Sequence, residues 1–330
     1  VMMNHSLKNQ FKINHGTVIE GKWHHNRYTI VKELGYGANG IVYLAQCRNQ
    51  QVALKMSDNG MSITSEVNVL KSFAKVQGDC LGPSLLDVDD WVYKQGQISF
   101  YVMEYIQGPD LLSFIQQKGP SWIEAVILQL LNNLHRLHQN GWVFGDLKPD
   151  NLIVTGPPPR IRCIDVGGTT IQGRAIKEFT EFFDRGYWGL GTRKADPSYD
   201  LFAVAMILIN IAYPKRFNKT SGDLKQLIFM VRQKKELQKY EGVILNALQG
   251  KYHSAEEMRN SILQLNQAGP QPKATNRAPI SNQKQARTNK IVVSRQTHLK
   301  KKRRGGFLET FFIFLIISLL YIFYIYGQLV

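Results

Sequence analysis

The period of the apolar pattern changes once along the chain, and that change limits the fold more than any other feature. From Tyr28 onward three short runs, YTIVKELG, IVYLAQ and QVALKM, alternate apolar and polar residues and are broken by glycines. That is the pattern of half-buried strands. A helix is expected at about Ser62 to Lys75, where Glu66, Leu70 and Phe73 share one face by the i, i+4, i+7 rule. One more strand reads ISFYVMEYI (98–106). Beyond Gly108 the pattern is mostly helical: LLSFIQQ, a long segment from Trp122 to Gln139, then LFAVAMILINIAY. Strands first and helices afterwards predict an α+β protein. Its β-rich N-terminal lobe spans about 25–107 and its helical C-terminal lobe about 108–266, after a polar lead-in at 1–24.

The glycines of LGYGANGIV, Gly35, Gly37 and Gly40, have GxGxxG spacing and precede Val42. By itself this fits either a hairpin turn or a dinucleotide fingerprint. A dinucleotide loop runs from a strand into a helix, whereas IVYLAQ continues as a second strand. These glycines therefore close a β-hairpin, a flap whose backbone can approach phosphates. Lys55 lies thirteen residues past Val42, at the end of the apolar run VALK. Alone it reads as a strand-end charge; behind a glycine flap it can meet phosphates. Glu66 falls on the apolar face of the expected helix, where a carboxylate is costly unless paired, and Lys55 is its natural partner. A solvated helix glutamate is the plainer alternative.

The stretch VFGDLKPDNLIV places Asp146, Lys148 and Asn151 between apolar residues, and fourteen residues after Asn151 comes Asp165, before a glycine pair. Phosphoryl transfer needs charge neutralisation and alignment more than covalent help. Asn151 and Asp165 are a hard-oxygen ligand pair suited to magnesium. Lys148 can offset charge on the transferred group, and Asp146 can accept the proton of an attacking hydroxyl.

With these motifs in this order, residues 28 to about 265 resemble a eukaryotic-type (Hanks-type) serine/threonine protein kinase of the bacterial, membrane-anchored kind. The resemblance implies a two-lobed kinase fold with ATP in the cleft and Mg2+, or Mn2+ in its place. It implies that Gly35, Gly37 and Gly40 cover the phosphates while Lys55 holds them and pairs with Glu66. Val42, Ala53 and Ile153 would enclose the purine, Met103 would be the gatekeeper, Glu104 and Ile106 would offer hinge backbone to adenine, and Asp110 would bond the ribose. Asp146 would be the catalytic base, Asn151 and Asp165 the metal ligands, and Asp200 the buried brace of the catalytic loop. Lys148, within DLKPDN, carries the serine/threonine signature.

Three departures matter. The family's His-Arg-Asp reads Phe144-Gly145-Asp146, so no guanidinium stands there to hold a phosphorylated activation loop. Activity is therefore expected not to depend on a phosphate at Thr169, Thr170 or Thr180. Asp-Phe-Gly reads Asp165-Val166-Gly167, with Leu70 expected to face the thinned contact, and the Ala-Pro-Glu segment is not recognisable. Pseudokinases commonly lose the lysine, the base or a metal aspartate; Lys55, Asp146 and Asp165 are all present. The alternative is a catalytically silent pseudokinase scaffold that tethers nucleic acid or partners to the membrane.

Charge separates the last part of the chain from the rest. The net charge is +16, and from Pro270 to Arg304 there are eleven Lys or Arg and no Asp or Glu, which leaves +6 for the first 269 residues. Residues 267–306 are too polar to repay the entropy of folding and are expected to form a disordered linker. A transmembrane helix is expected at 307–327, since FFIFLIISLLYIFYIY is uncharged and tyrosines collect at its far end. Lys300 to Arg304 immediately before it place that side, and the catalytic domain, in the cytoplasm. Residues 328–330 would be an external tail. The basic segment suits anionic lipid or the phosphates of DNA or RNA, though without aromatics for stacking on single strands. Protein substrates and self-association for autophosphorylation complete the expected partners. Cys47, Cys80 and Cys163 have no disulfide or zinc spacing, and the polar start argues against a cleaved secretory signal.

Overall fold

The computed structural model describes residues 13–37, 40–75, 81–93, 96–220 and 223–267. These lie in the unit Val1–Gln271; the second unit, Pro272–Val330, falls outside the described residues, and with it the expected linker and membrane span. No described helix is long and apolar enough to cross a membrane.

The N-terminal lobe is a six-stranded antiparallel sheet of order β1-β2-β3-β4-β6-β5. Its strands are β1 (Val18–Glu20), β2 (Arg27–Gly37), β3 (Gly40–Cys47), β4 (Gln50–Ser57), β5 (Leu85–Tyr93) and β6 (Gly96–Glu104). The two edges meet: Gly21 bridges Trp91, and Lys22 N–H donates to Asp90 O at 2.8 Å. The sheet therefore closes around its own core of Ile19, Tyr28, Ile30, Tyr43, Val52, Leu54, Met56 and Phe100. Residues 13–24 are thus not a mere lead-in. They supply β1 and the closing turn, and the three-residue strand VIE is too short to show a period.

Strand alternation decides which face each residue serves. On β4, Val52, Leu54 and Met56 turn into the closed core, while Ala53 lies in the other cluster, with Ile63, Val67, Leu70 and Phe73 of helix α1 (Gly60–Lys75). Lys55 takes this second face, which is the cleft face. Helix α1 begins two residues earlier than expected because Asn59 caps it, its Oδ1 accepting from Met61 N and Ser62 N at 3.1 and 3.2 Å.

The C-terminal lobe is mainly helical: α2 (Leu111–Lys118), α3 (Ile123–Gln139), α4 (Pro197–Ala212), α5 (Asp223–Gln233), α6 (Lys235–Gln238), α7 (Glu241–Leu248) and α8 (Ala255–Gln267). Helix α4 is buried almost all round from Tyr199 to Asn210, as its uninterrupted apolar run requires, and packs against α3, α7 and α8. Short pairs, β8 (Leu152–Thr155) with β9 (Arg160–Cys163) and β7 (Trp142–Val143) with β10 (Thr170–Ile171), frame the loops between them.

The turn before β2 is fastened to β5 by two aspartates. Asp89 accepts from Trp23 N and His24 N at 2.9 and 2.8 Å, and Asp87 from Tyr28 Oη and Asn26 Nδ2 at 2.5 and 3.0 Å. Burial pushes both carboxyls up, but these hydrogen bonds outweigh it and hold them below their ordinary value of 3.8. A depressed pKa gives stability that is present above the unfolded value and lost as pH falls through the folded one. The Tm is therefore expected to drop as pH is lowered below about 4, with Asp89→Asn less stable at pH 7 and less sensitive to acid. Equal acid sensitivity of variant and wild type in calorimetry would remove this account.

Candidate active site

A cavity of about 400 Å³ lies between the sheet and the helical lobe. It brings together Gly35, Gly37, Gly40, Val42, Ala53, Lys55, Glu104, Ile106, Asn151, Ile153 and Asp165, residues spread over 131 positions of sequence, and Met103 lines it too. The flap is a hairpin as expected, with Tyr36 opposite Ile41 and Gly37 opposite Gly40. Its glycines differ in kind. Gly40 has φ 126°, and a Cβ there would lie 2.2 Å from Met56 O, so the chain itself requires glycine. A Cβ at Gly35 or Gly37 would meet nothing within 4 Å. Both residues line the cavity.

Behind the cavity Lys55 Nζ donates to Glu66 Oε2 at 2.6 Å, with the residues only 7% and 3% exposed. Tyr101 Oη donates to the same oxygen at 2.7 Å and Ser62 Oγ to the other at 3.3 Å. Burial, then the Glu66 charge, push the Tyr101 phenol well above its ordinary pKa, so it stays a donor. The carboxylate on the apolar face of α1 is paired, and the solvated alternative is excluded.

The loop carrying Asp146 hangs from Asp200 of α4. That carboxylate, fully buried, accepts from Phe144 N at 2.8 Å and Gly145 N at 3.0 Å, and its Oδ2 is 2.8 Å from His138 Nε2. His138, at the end of α3, belongs to no motif; only its place one turn after the apolar Leu134 hinted at burial. Gly145 has φ 86°, and a Cβ there would lie 2.6 Å from Gly168 O. Glycine is therefore obligatory here and not only a lost arginine. Gly145→Arg, which restores the family's residue, is expected to cost about 1–2 kcal/mol for the left-handed backbone, lowering Tm by roughly 2–8 °C, and the clash with Gly168 O adds to this. Calorimetry showing an unchanged Tm would contradict this.

Asp146 is held on both oxygens: Lys148 Nζ donates to Oδ2 at 2.5 Å and Thr180 Oγ1 to Oδ1 at 2.9 Å. Lys148 Nζ also donates to Thr180 Oγ1 at 3.1 Å, so base, cation and hydroxyl form one triangle. Thr180 was visible in sequence only as one of several threonines. Thr169 and Thr170 are buried. Asn151 Nδ2 donates to Asp146 O at 3.0 Å, which orients the amide, and the carboxylate of exposed Asp165 accepts from Gly167 N at 3.0 Å. Val166 is buried in one cluster with Leu70 and Phe73, in the place of the missing aromatic ring.

One expected contact is placed otherwise. Asp110 is not among the residues lining the cavity; it caps α2, accepting from Ser113 N and Ser113 Oγ at 2.9 and 2.6 Å. Glu104 lines the cavity, while its carboxylate is held by Arg162 of β9 at 3.1 and 2.9 Å. The unrecognised segment after Thr180 has its own anchors. Buried Asp184 accepts from Tyr199 Oη at 2.8 Å and Arg193 Nε at 2.8 Å, and Arg185 donates to Asp196 at 2.7 Å.

Comparison with known proteins agrees with this geometry. A family model described as the protein kinase domain matches residues 28–288. The chain is 53% identical to the serine/threonine-protein kinase YabT of Bacillus subtilis over 333 residues, covering 98% of each. It is 33% identical over 141 residues to a probable serine/threonine-protein kinase, CPE1738, of Clostridium perfringens, covering 41% of this chain and 20% of that one. A match to ppk31 of Schizosaccharomyces pombe is 31% identical over 159 residues. Taken with the paired lysine and the braced catalytic loop, these matches mean that the chain belongs to the protein kinase family and is a serine/threonine protein kinase.

Proposed function

We propose that this protein transfers the γ-phosphoryl group of ATP to serine and threonine hydroxyls of proteins and of itself, as a single-pass membrane protein with its kinase domain in the cytoplasm. The observation that carries the catalytic part is the buried Lys55–Glu66 pair at 2.6 Å, facing the cavity that Asn151 and Asp165 also line. A cavity lined by Gly35 and Gly37, with an oxygen pair at Asn151 and Asp165, suits a nucleoside triphosphate and Mg2+ or Mn2+. The metal, when bound, neutralises phosphate charge. Lys55 binds phosphate oxygens, Asp146 orients the acceptor hydroxyl and takes its proton, and Lys148 offsets charge on the transferred group. A silent scaffold gains no support from a site in which Lys55, Asp146, Asn151 and Asp165 are all in place.

The tether is residues 307–327, and the basic segment 270–304 binds duplex DNA or anionic lipid and gathers kinase molecules for autophosphorylation. Its support is eleven cations without an acid. Full-length protein incubated with γ-labelled ATP is expected to carry label on serine and threonine and none on tyrosine. Duplex DNA that stimulates labelling with a steep salt dependence assigns the segment to nucleic acid; stimulation by anionic vesicles alone assigns it to lipid. Indifference to both would refute a ligand-binding role.

A further inference from the structure

A second cavity, of about 500 Å³, opens between α1 and the segment that follows β10. Met61 and Ser65 come from α1, Trp142 from β7, Ile171 from β10, and Arg174 and Lys177 from the segment before Thr180. Two of its apolar side chains stand in solvent, Met61 at 82% and Ile171 at 41% exposure. Its charged residues are both cations. Lys177 Nζ donates to Ser65 Oγ at 3.0 Å, and among the described residues neither Arg174 nor Lys177 has a carboxylate partner. No Asp or Glu lines this cavity, and the neighbouring Glu178 lines the nucleotide cavity instead.

Two stretches of chain link the lining of this groove to the catalytic loop. Trp142 and Val143 run directly into Phe144, Gly145 and Asp146. Lys177 stands three residues before Thr180, whose hydroxyl touches Asp146 at 2.9 Å. Three residues span at most about 10 Å. The cations are therefore within reach of a side chain about three positions from an acceptor hydroxyl at Asp146. Apolar surface beside unpaired cations is complementary to a carboxylate next to an aliphatic or aromatic side chain.

We infer that this groove docks the flank of the protein substrate and selects acidic segments, with Asp or Glu about three residues from the acceptor serine or threonine and an apolar residue beside it. The inference rests on phosphotransfer at Asp146. Arg174 and Lys177 are its specificity residues, and Met61 and Ile171 receive the apolar neighbour.

The test uses the full-length chain and short synthetic peptides with one central serine in a neutral background. Glu, Gln or Lys, with leucine beside it, is moved through the positions on either side. Glu at one position about three residues from serine is expected to raise kcat/KM about tenfold over Gln, and Lys to lower it. In Arg174→Glu/Lys177→Glu the Glu-to-Lys preference should invert; because a ratio is read, a general loss of activity does not mimic this. If that variant fails to fold, Arg174→Gln/Lys177→Gln gives the same reading, the preference falling towards one. A flat profile, a preference for Lys, or an acidic preference that survives both variants would overturn the inference. Absence of label on every peptide, on full-length chain and on protein substrates alike would instead refute phosphotransfer itself.

Discussion

Asp200→Ala is expected to cost about 3–5 kcal/mol of stability, because it removes the buried acceptor of three donors at once. Phe144 N–H, Gly145 N–H and the His138 imidazole all turn to this carboxylate, which has no exposure to water. The apolar surroundings offer little in its place: Val143, Phe144, Leu147 and Leu201 are themselves fully buried. At about 2–4 °C per kcal/mol for a domain of this size, Tm should fall by roughly 10 °C. Phosphotransfer should fall further than the folded fraction does, because the loop that positions Asp146 loses its mounting. Asp200→Asn keeps the shape but presents an N–H where an acceptor is needed, so it should resemble alanine more than wild type. Calorimetry and initial rates on the same samples decide this. Near-wild-type Tm and rate in Asp200→Asn would show that the brace is not the carboxylate.

Lys55→Met separates stability from catalysis. It removes the cation facing the phosphates and leaves Glu66 buried with only the hydroxyls of Tyr101 and Ser62 for company. A loss of about 10²–10³ in kcat is expected from losing one preorganised charge at the reacting group. The orphaned carboxylate should also cost about 3–5 kcal/mol. Lys55→Met/Glu66→Leu is expected to recover most of the stability and none of the activity, since well-packed apolar residues replace a buried pair at little cost. Recovery of activity in the double variant would show that Lys55 serves only to neutralise Glu66.

What the sequence revealed follows physical scale. Strands β2, β3, β4 and β6 announced themselves by alternation, and on β4 the structure puts Ala53 on the face opposite Val52 and Leu54; the nine-residue β5, LLDVDDWVY, went unread because its three aspartates break the apolar pattern. Glu66 was legible as a carboxylate on an apolar face, which is a local conflict that only a partner resolves. Strand β1 was not, since three residues give no period. His138 and Thr180 act as single side chains brought in from 62 and 34 residues away from their partners, with no motif around them. Asp110 has a structural role beside the one read for it. The resemblance suggested a ribose contact for it, and its N-cap, an aspartate three residues before Ser113 at the start of an apolar helix, went unread. Gly145 read as a missing guanidinium, and its second meaning, a left-handed backbone against Gly168, depends on a contact no sequence pattern encodes.

The most direct test of the account is single-turnover phosphotransfer by Asp146→Asn, with ATP binding measured on the same protein. Asparagine keeps the volume and can still meet Thr180 and Lys148, so the nucleotide cavity formed by Lys55, Asn151 and Asp165 should bind ATP within about threefold of wild type. Transfer to serine and threonine should fall by about 10²–10⁴, the share of a positioned general base. Undiminished transfer by Asp146→Asn with ATP bound would contradict the assignment of this cleft as the phosphotransfer centre.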